Sequence, residues 1–244
     1  STLHCNFGWY GKSNRYYDPD TLHGFRINQR MIIGVTPKPI ETAVRKIHLD
    51  KPNTLKYKLL ATDWYSTYHL QVTGVVAKED FDVLRQLCGG GKSGERNGNV
   101  CILDLTRTTA LSIPPKSFQD CENLTTVILP YSLKEIGRMA FASCQKLNRV
   151  QCYGNIDEIG RNAFAACFNL YDINLPNSLI TIGANAFNSC TSLLSIVLPA
   201  GVKTIDSGAF ANCKNLASIS MSRHTRILGN GLIAGCKTKK IKRY

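Results

Sequence analysis

Hydrophobic residues recur at a spacing of 23 through the second half of the chain. The aromatic column consists of Phe118, Phe141, Phe164, Phe187 and Phe210, with Ile233 in the sixth slot. A thiol column lies three residues later and consists of Cys121, Cys144, Cys167, Cys190, Cys213 and Cys236. Columns of leucine, of valine or isoleucine, and of isoleucine run in phase with these two; the isoleucine column begins at Ile113, and Leu228 closes it. Five columns in phase over five copies indicate an internal repeat.

A unit of 23 residues cannot bury its own apolar face. When successive units stack as coils, each column becomes a continuous row of side chains inside the core. The sequence therefore predicts an α+β repeat fold, a solenoid of 23-residue coils with a ladder of parallel strands. A small α/β N-terminal cap precedes the coils in this prediction.

The polar and apolar positions within one unit predict its local structure. The segment 124–129 places Val127 and Leu129 on either side of an outward Ile128, which is the alternation of a short strand. Proline follows the strand segment at Pro130, Pro176 and Pro199, where a missing N–H ends the ladder. The stretch 138–144 is compatible with a single helical turn.

The repeat resembles the BspA-like leucine-rich repeats, whose consensus reads roughly L-P-x-x-L-x-x-I-G-x-x-A-F-x-x-C-x-x-L-x-x-I. Residues 175–193 match nearly every specified position, including Pro176, Gly183, Phe187 and Cys190. The resemblance covers residues 101–244 and implies a leucine-rich-repeat solenoid. The ends depart from the pattern: Leu103 and Leu105 start one residue out of phase, and the last unit has Ile233 for Phe and Lys239 for Leu.

The strand register also predicts which side chains face outward, where a partner could bind. This candidate binding face is mixed and polar, and a protein or a glycan fits it better than nucleic acid does. A solvated face without a partner is the alternative. The predicted outward residues are Thr126, Ile128, Arg149, Gln151, Asp172, Asn174, Ser195, Val197, Ser218 and Ser220.

The thiol column admits two interpretations. Adjacent coils bring equivalent Cα atoms to about 5 Å, which is within disulfide range. However, stacked Cβ vectors point side by side, and the chain has no C-x-x-C pair of the kind that zinc sites use. The sequence therefore favours cysteine as a small buried filler beside the Phe column. It predicts no cofactor and no metal site.

Residues 40–100 lack the 23-residue period and form the predicted N-terminal cap. Tyr68 to Val72 alternate as a strand, and Phe81, Leu84 and Leu87 recur at helical spacing. A run of glycines beginning at Gly89 ends that helix, and residues 89–99 are expected to form a surface loop. The cap resembles the region that often precedes BspA-like repeats and would cover the open apolar end of the first coil.

Residues 1–38 resemble a different family. The segment from His4 to Tyr17 is similar to the C-terminal part of streptopain-like cysteine peptidases, with the motif H-x-N-W-G-W-G-G-x-x-x-G-Y. The resemblance implies that Asn6 would orient the catalytic histidine and that Phe7 would lie beside the site. The family's nucleophile and base both precede this motif, so we expect this chain to be inactive by itself, as the tail of a peptidase fused to a repeat array or a piece cut from such a parent.

Charge and composition narrow the choice of function. The chain is 43% hydrophobic and only 19% charged, which excludes a chain that is disordered throughout. Its formal net charge of +13 permits an anionic partner. Basic residues cluster near the C-terminus, where a frayed, soluble tail is one interpretation. Aromatic residues do not alternate with them as a nucleic-acid stacking groove requires. No stretch is long enough to span a bilayer, and no segment of the chain has the pattern of a signal peptide. Because the first residue is Ser1 and not Met, the chain is expected to have been processed or cut from a longer parent.

Two hypotheses of function follow. In the first, the chain is an interaction module, and the BspA-like resemblance implies a secreted or cell-surface bacterial protein that binds a host or matrix protein. In the second, it is the non-catalytic C-terminal portion of a streptopain-like secreted cysteine peptidase whose repeats direct it to substrate. The sequence leaves the oligomeric state open.

Overall fold

A computed structural model describes residues 3–5, 15–17, 44–91, 97–238 and 240–244. The chain divides into two units, Ser1–Glu41 and Thr42–Tyr244. In the first unit, strands β1 (Leu3–Cys5) and β2 (Arg15–Tyr17) pair antiparallel. The predicted peptidase-motif residues Asn6 and Phe7 lie outside the described residues.

The second unit begins with strand β3 (Val44–Leu49), the short helices α1 (Leu55–Lys58) and α2 (Asp63–Ser66), strand β4 (His69–Gly74) and helix α3 (Lys78–Leu87). The predicted strand and helix of this region are both present. The buried carboxylate of Asp80 accepts hydrogen bonds from the backbone N–H groups of Leu55 (2.9 Å) and Ala77 (3.0 Å). It therefore satisfies the start of α3 and ties that helix to α1.

One set of parallel strands is formed by the predicted strand segment 124–129 and by its equivalents in the other coils. Its strands after the cap are β5 (Ile102–Asp104), β7 (Thr126–Ile128), β9 (Arg149–Gln151), β11 (Asp172–Ile173), β13 (Ser195–Val197), β15 (Ser218–Met221) and β17 (Lys242–Arg243). They form one sheet in the order β11–β9–β7–β5–β4–β3 and a separate sheet in the order β13–β15–β17. The cap strands β3 and β4 join this ladder in parallel and so extend the sheet beyond the first repeat.

Another parallel sheet runs along a different side of each coil. Its strands are β6 (Ser112–Ile113), β8 (Glu135–Ile136), β10 (Glu158–Ile159), β12 (Thr181–Ile182), β14 (Thr204–Ile205) and β16 (Arg226–Ile227). They pair in the order β16–β14–β12–β10–β8–β6, and the second residue of each strand is buried or half-buried. This sheet is the predicted isoleucine column.

The predicted helical turn at 138–144 is wrong. This stretch is a ribbon of turns in which Met139 and Ser143 have positive φ, at 57° and 62°. The equivalent positions of the other coils also have positive φ, from Lys116 and Asp120 to Gly231 and Gly235. The left-handed residues turn alternate N–H groups toward the next coil, so that Phe141 N–H donates to Ala163 O at 2.8 Å. The ribbon thus adds a third set of hydrogen bonds between coils.

The aromatic column forms a stack through the core, as predicted. Successive Phe rings from 118 to 210 are separated by 5.1–5.3 Å between centroids, with interplanar angles of 2–11°. All five rings are fully buried. At the cap end Phe81 meets Phe118 edge-on at 6.0 Å, so the cap packs directly on the first ring of the stack.

The spacing changes at both ends of the array. Leu103 pairs with Val127, a separation of 24 that confirms the predicted phase shift. At the other end Ile227 pairs with Ile205, a separation of 22, and Leu228 is exposed. The prediction that Leu228 closes the isoleucine column is therefore wrong, because the last coil is one residue shorter before β16.

Candidate functional site

The outward side of the first strand column carries two parallel rows of side chains, which we call the outward strand face. The pleat of each strand turns its central residue into the core and its two flanking residues outward. Within this face the ten predicted binding residues occupy equivalent positions on neighbouring coils, and all ten are half-buried or exposed. The structure therefore brings the predicted residues together on one side of the repeat.

The central coils are linked across this face by polar contacts. Arg149 Nε donates to Asp172 Oδ2 at 2.7 Å, and both side chains are about half exposed. One strand end is held differently, because the Asn174 amide donates to Cys152 O at 2.7 Å and accepts from Cys152 N–H at 2.8 Å. The Asn174 side chain thus makes the hydrogen bonds to Cys152 that a neighbouring strand backbone would otherwise make. Because both ends of the amide are engaged, it has less capacity to bind a partner.

The outward strand face also extends over the cap, where the sequence analysis assigned no site. His69 and Gln71 on β4, and Ile102 and Asp104 on β5, continue the two rows in register. Gln71 Nε2 donates to Asp104 Oδ2 at 2.6 Å. The signal was present in the sequence, since these residues alternate with the apolar positions Leu70, Val72, Leu103 and Leu105.

An apolar area lies where the strand ladder is interrupted. In the described residues no backbone pairing joins β11 to β13. Tyr171 immediately precedes β11, and Leu194 occupies the same slot before β13. Leu194 is 62% exposed and Val197, on β13, is 68% exposed. These side chains provide exposed apolar area beside the polar rows, which is a feature of interaction surfaces.

The thiol column is buried and hydrogen-bonded. Each thiol from Cys144 to Cys236 donates to the carbonyl of the Phe 26 residues earlier, at Sγ···O distances of 2.9–3.3 Å. The cysteines from Cys88 to Cys236 are free of disulfide bonds. Burial raises the pKa of the Cys167 and Cys190 thiols well above the ordinary value, and that of Cys213 to about 12. Such thiols stay protonated at neutral pH and are poor nucleophiles.

The described ranges contain no group of three His, Cys, Asp or Glu side chains that could hold a metal ion. In the same ranges no helix combines the length and apolar character that crossing a membrane requires. The histidine and cysteine of the peptidase-like segment, His4 and Cys5, belong to β1, whose backbone alone is described.

Comparison with known proteins agrees with this architecture. Residues 111–240 match the model of the BspA type leucine rich repeat region in six copies. A search of curated proteins found no match. Among solved structures, the chain is similar to a leucine-rich repeat protein of T. pallidum (TpLRR), with 32% identity and a TM-score of 0.49 over 61% of this chain and 75% of that chain.

Two further solved structures are similar at lower identity. A leucine-rich repeat protein from Bacteroides ovatus is 24% identical, with a TM-score of 0.47 over 72% of this chain and 55% of that one. A leucine-rich repeat protein from Eubacterium ventriosum is 18% identical, with a TM-score of 0.51 over 80% of this chain and 60% of that one. The chain thus spans between about half and three quarters of the length of these three proteins. The similarity to the Eubacterium ventriosum protein supports the fold.

Proposed function

This chain belongs to the BspA-type leucine-rich repeat family, and from that premise we propose that it is an interaction module that binds a protein partner through the outward strand face. The observation that carries the proposal is the exposed apolar area at Leu194 and Val197 beside the polar rows. Rigid parallel coils hold these side chains in place, so that little conformational entropy is lost when a partner binds.

The polar rows support the same proposal. Arg149, Asp172 and Ser195 lie at equivalent positions on successive coils, and each can exchange hydrogen bonds with a partner. An apolar centre with polar surroundings is the arrangement in which a few residues dominate binding energy. We therefore expect the affinity to depend on Leu194 and Val197 more than on any single polar residue.

Val197→Arg tests the proposal, because a charged guanidinium would replace the apolar side chain that the partner is proposed to contact. We expect at least about a tenfold loss of affinity for a captured partner, as for a central interface residue. The measurement is surface plasmon resonance against a panel of immobilised matrix proteins and, in parallel, immobilised glycans. Leu111→Arg is the matched control, since Leu111 is 64% exposed but precedes β6 of the other sheet.

Three results are informative. Loss of protein binding in Val197→Arg, with Leu111→Arg unchanged, would support the proposal. Binding to the glycan panel alone would replace the protein partner with a glycan. Equal affinities for the wild type and both variants would show that the outward strand face is not the binding surface. Thermal unfolding of each variant establishes that the fold is retained.

We further propose a secreted or cell-surface location, in which this face meets host or matrix proteins. The proposal rests on the resemblance of the repeats to those of BspA-like proteins, which implies a secreted or surface-exposed protein. Digestion of intact producing cells with an added protease should remove the protein if it is exposed at the surface, and the culture medium should contain it if it is secreted. Retention of the whole pool inside protease-treated cells would contradict this location.

The alternative, a C-terminal portion of a streptopain-like peptidase, rests on the motif at residues 4–17. It predicts a cysteine and a histidine base upstream of Ser1 in a parent sequence. The 244-residue chain should not hydrolyse casein, because neither Asn6 nor Phe7 supplies a nucleophile. Hydrolysis by the purified chain would contradict this assignment of roles.

A further inference from the structure

Positive charge is concentrated at the C-terminal end of the repeat array. Residues 207–244 contain eight Lys or Arg and no Asp or Glu, whereas the preceding 206 residues contain 22 and 17. Every described Lys and Arg side chain of this segment is exposed. Five of them, together with Lys203 of the preceding coil, form what we call the terminal basic patch. Its members are Lys203, Arg223, Arg226, Lys237, Lys240 and Lys242.

The fold brings four of these residues, Lys203, Arg223, Arg226 and Lys242, around one loop, 222–225, that joins β15 to β16. Arg226 begins β16, and its N–H donates to Lys203 O at 2.8 Å, so these two residues are neighbours on adjacent coils. On the other side, Arg223 N–H donates to Tyr244 O at 2.9 Å, and Lys242 lies opposite Ser220 in the β15–β17 pair. Cations from three segments therefore surround the same loop.

The terminal segment is part of the fold and is not a frayed tail. Strand β17 pairs in parallel with β15. Arg243 Nη1 donates to Ser222 O at 3.1 Å and to Thr225 O at 2.7 Å. Because Arg243 satisfies the loop carbonyls, it positions the loop, while the cations around it remain exposed.

The patch lacks internal compensation. Elsewhere Arg149 pairs with Asp172, and Arg45 with Asp63. No cation of the terminal basic patch forms an ion pair with a described carboxylate. A concentrated and uncompensated charge of one sign attracts a polyanion and is screened by salt.

We propose that the terminal basic patch binds a linear anionic polysaccharide, such as a sulfated glycan. Its long, exposed side chains suit a ligand with repeated charges, and they do not enclose a small anion. Single-stranded nucleic acid is disfavoured, because base stacking needs exposed aromatic rings. Within the described part of the last coil the exposed aromatic residue is Tyr244, whose hydroxyl already donates to Leu198 O.

The test uses the full chain and heparin as the sulfated polysaccharide. A patch variant combines Lys203→Gln, Arg226→Gln, Lys240→Gln and Lys242→Gln. A control variant combines Lys78→Gln, Lys116→Gln, Lys134→Gln and Lys146→Gln at exposed sites on other coils and the cap. Both variants have a formal net charge of +9, so they differ only in the position of the lost charges. Affinities are measured across a NaCl series, with single-stranded DNA in parallel.

We expect the patch variant to lose about tenfold or more in heparin affinity near physiological salt, and to show a shallower salt dependence. The control variant should lose less than about threefold. Equal losses in both quadruple variants would overturn the proposal in favour of general net charge. Tighter binding to DNA than to heparin, or no heparin binding by the wild type, would also overturn it. Thermal unfolding verifies that both quadruple variants are folded.

Discussion

The thiol of Cys167 donates a hydrogen bond to the backbone carbonyl of Phe141, with an Sγ···O distance of 3.1 Å. The same carbonyl accepts the N–H of Cys144 at 3.2 Å. Because this arrangement recurs along the column, each cysteine joins its own coil to the one before. The column therefore satisfies a buried carbonyl in addition to filling space beside the rings.

The buried thiols predict alkaline sensitivity. Their pKa values are raised in the folded state, so below about pH 8 the thiols are protonated in the folded and the unfolded chain alike and stability is unaffected. Above that pH the unfolded chain loses thiol protons that the folded chain keeps. Each thiol then lowers the free energy of unfolding by about 1.4 kcal/mol per pH unit, until its folded-state pKa is reached.

Urea unfolding at pH 7 and pH 10 measures this effect. Cys190→Ala removes one thiol whose pKa is raised by burial, so its pH slope should be smaller than that of the wild type by one thiol's share. Identical slopes in the wild type and Cys190→Ala would contradict the prediction.

The aromatic stack predicts a large cost for removing one ring. Phe164 is fully buried between Phe141 and Phe187, at centroid distances of 5.3 Å on both sides. Phe164→Ala should lower the free energy of unfolding by about 3–5 kcal/mol, because neighbouring coils cannot collapse into the cavity. Phe168→Ala, at an exposed position four residues later, should cost less than about 1 kcal/mol. Similar urea midpoints for the two variants would contradict the stack's role.

The left-handed turns predict opposite effects at two adjacent alanines. Ala166 has a φ of 59°, which is unfavourable for a residue with a Cβ, whereas its half-buried neighbour Ala165 is outside the positive-φ set. Ala166→Gly should therefore raise stability, by up to about 1 kcal/mol. Ala165→Gly should lower it by about 0.5–1 kcal/mol, through the added backbone entropy of the unfolded chain. Thermal unfolding of both variants decides the sign at each site.

The ion pair on the outward strand face predicts little stabilisation. Arg149 and Asp172 are both about half exposed, so solvent screens their attraction. A double-mutant cycle of Arg149→Ala and Asp172→Ala should give a coupling free energy of about 0.2–1 kcal/mol, smaller at high salt. A coupling above about 2 kcal/mol would show that the pair is structurally essential.

Periodicity by itself determined the stacked coils, their core columns and the strand alternation. One repeat cannot bury its apolar face alone, so residues such as Phe141 and Phe164 must stack at equal spacing. The same reasoning identified Val197 as outward, because side chains alternate along a strand. These conclusions follow from spacing in the chain and need no knowledge of distant contacts.

The tertiary structure decided where hydrogen bonds run between coils. The ribbon through Met139 and Ser143 depends on positive φ values; recurring Asn, Asp and Gly at these slots hint at this conformation without establishing it at Met or Ala positions. From the sequence alone, the Cys167 thiol could only fill space in the core, and the Asn174 amide could simply be exposed to solvent. Their roles depend on which carbonyl or N–H the preceding coil presents within about 3 Å, and single-chain spacing does not contain that information.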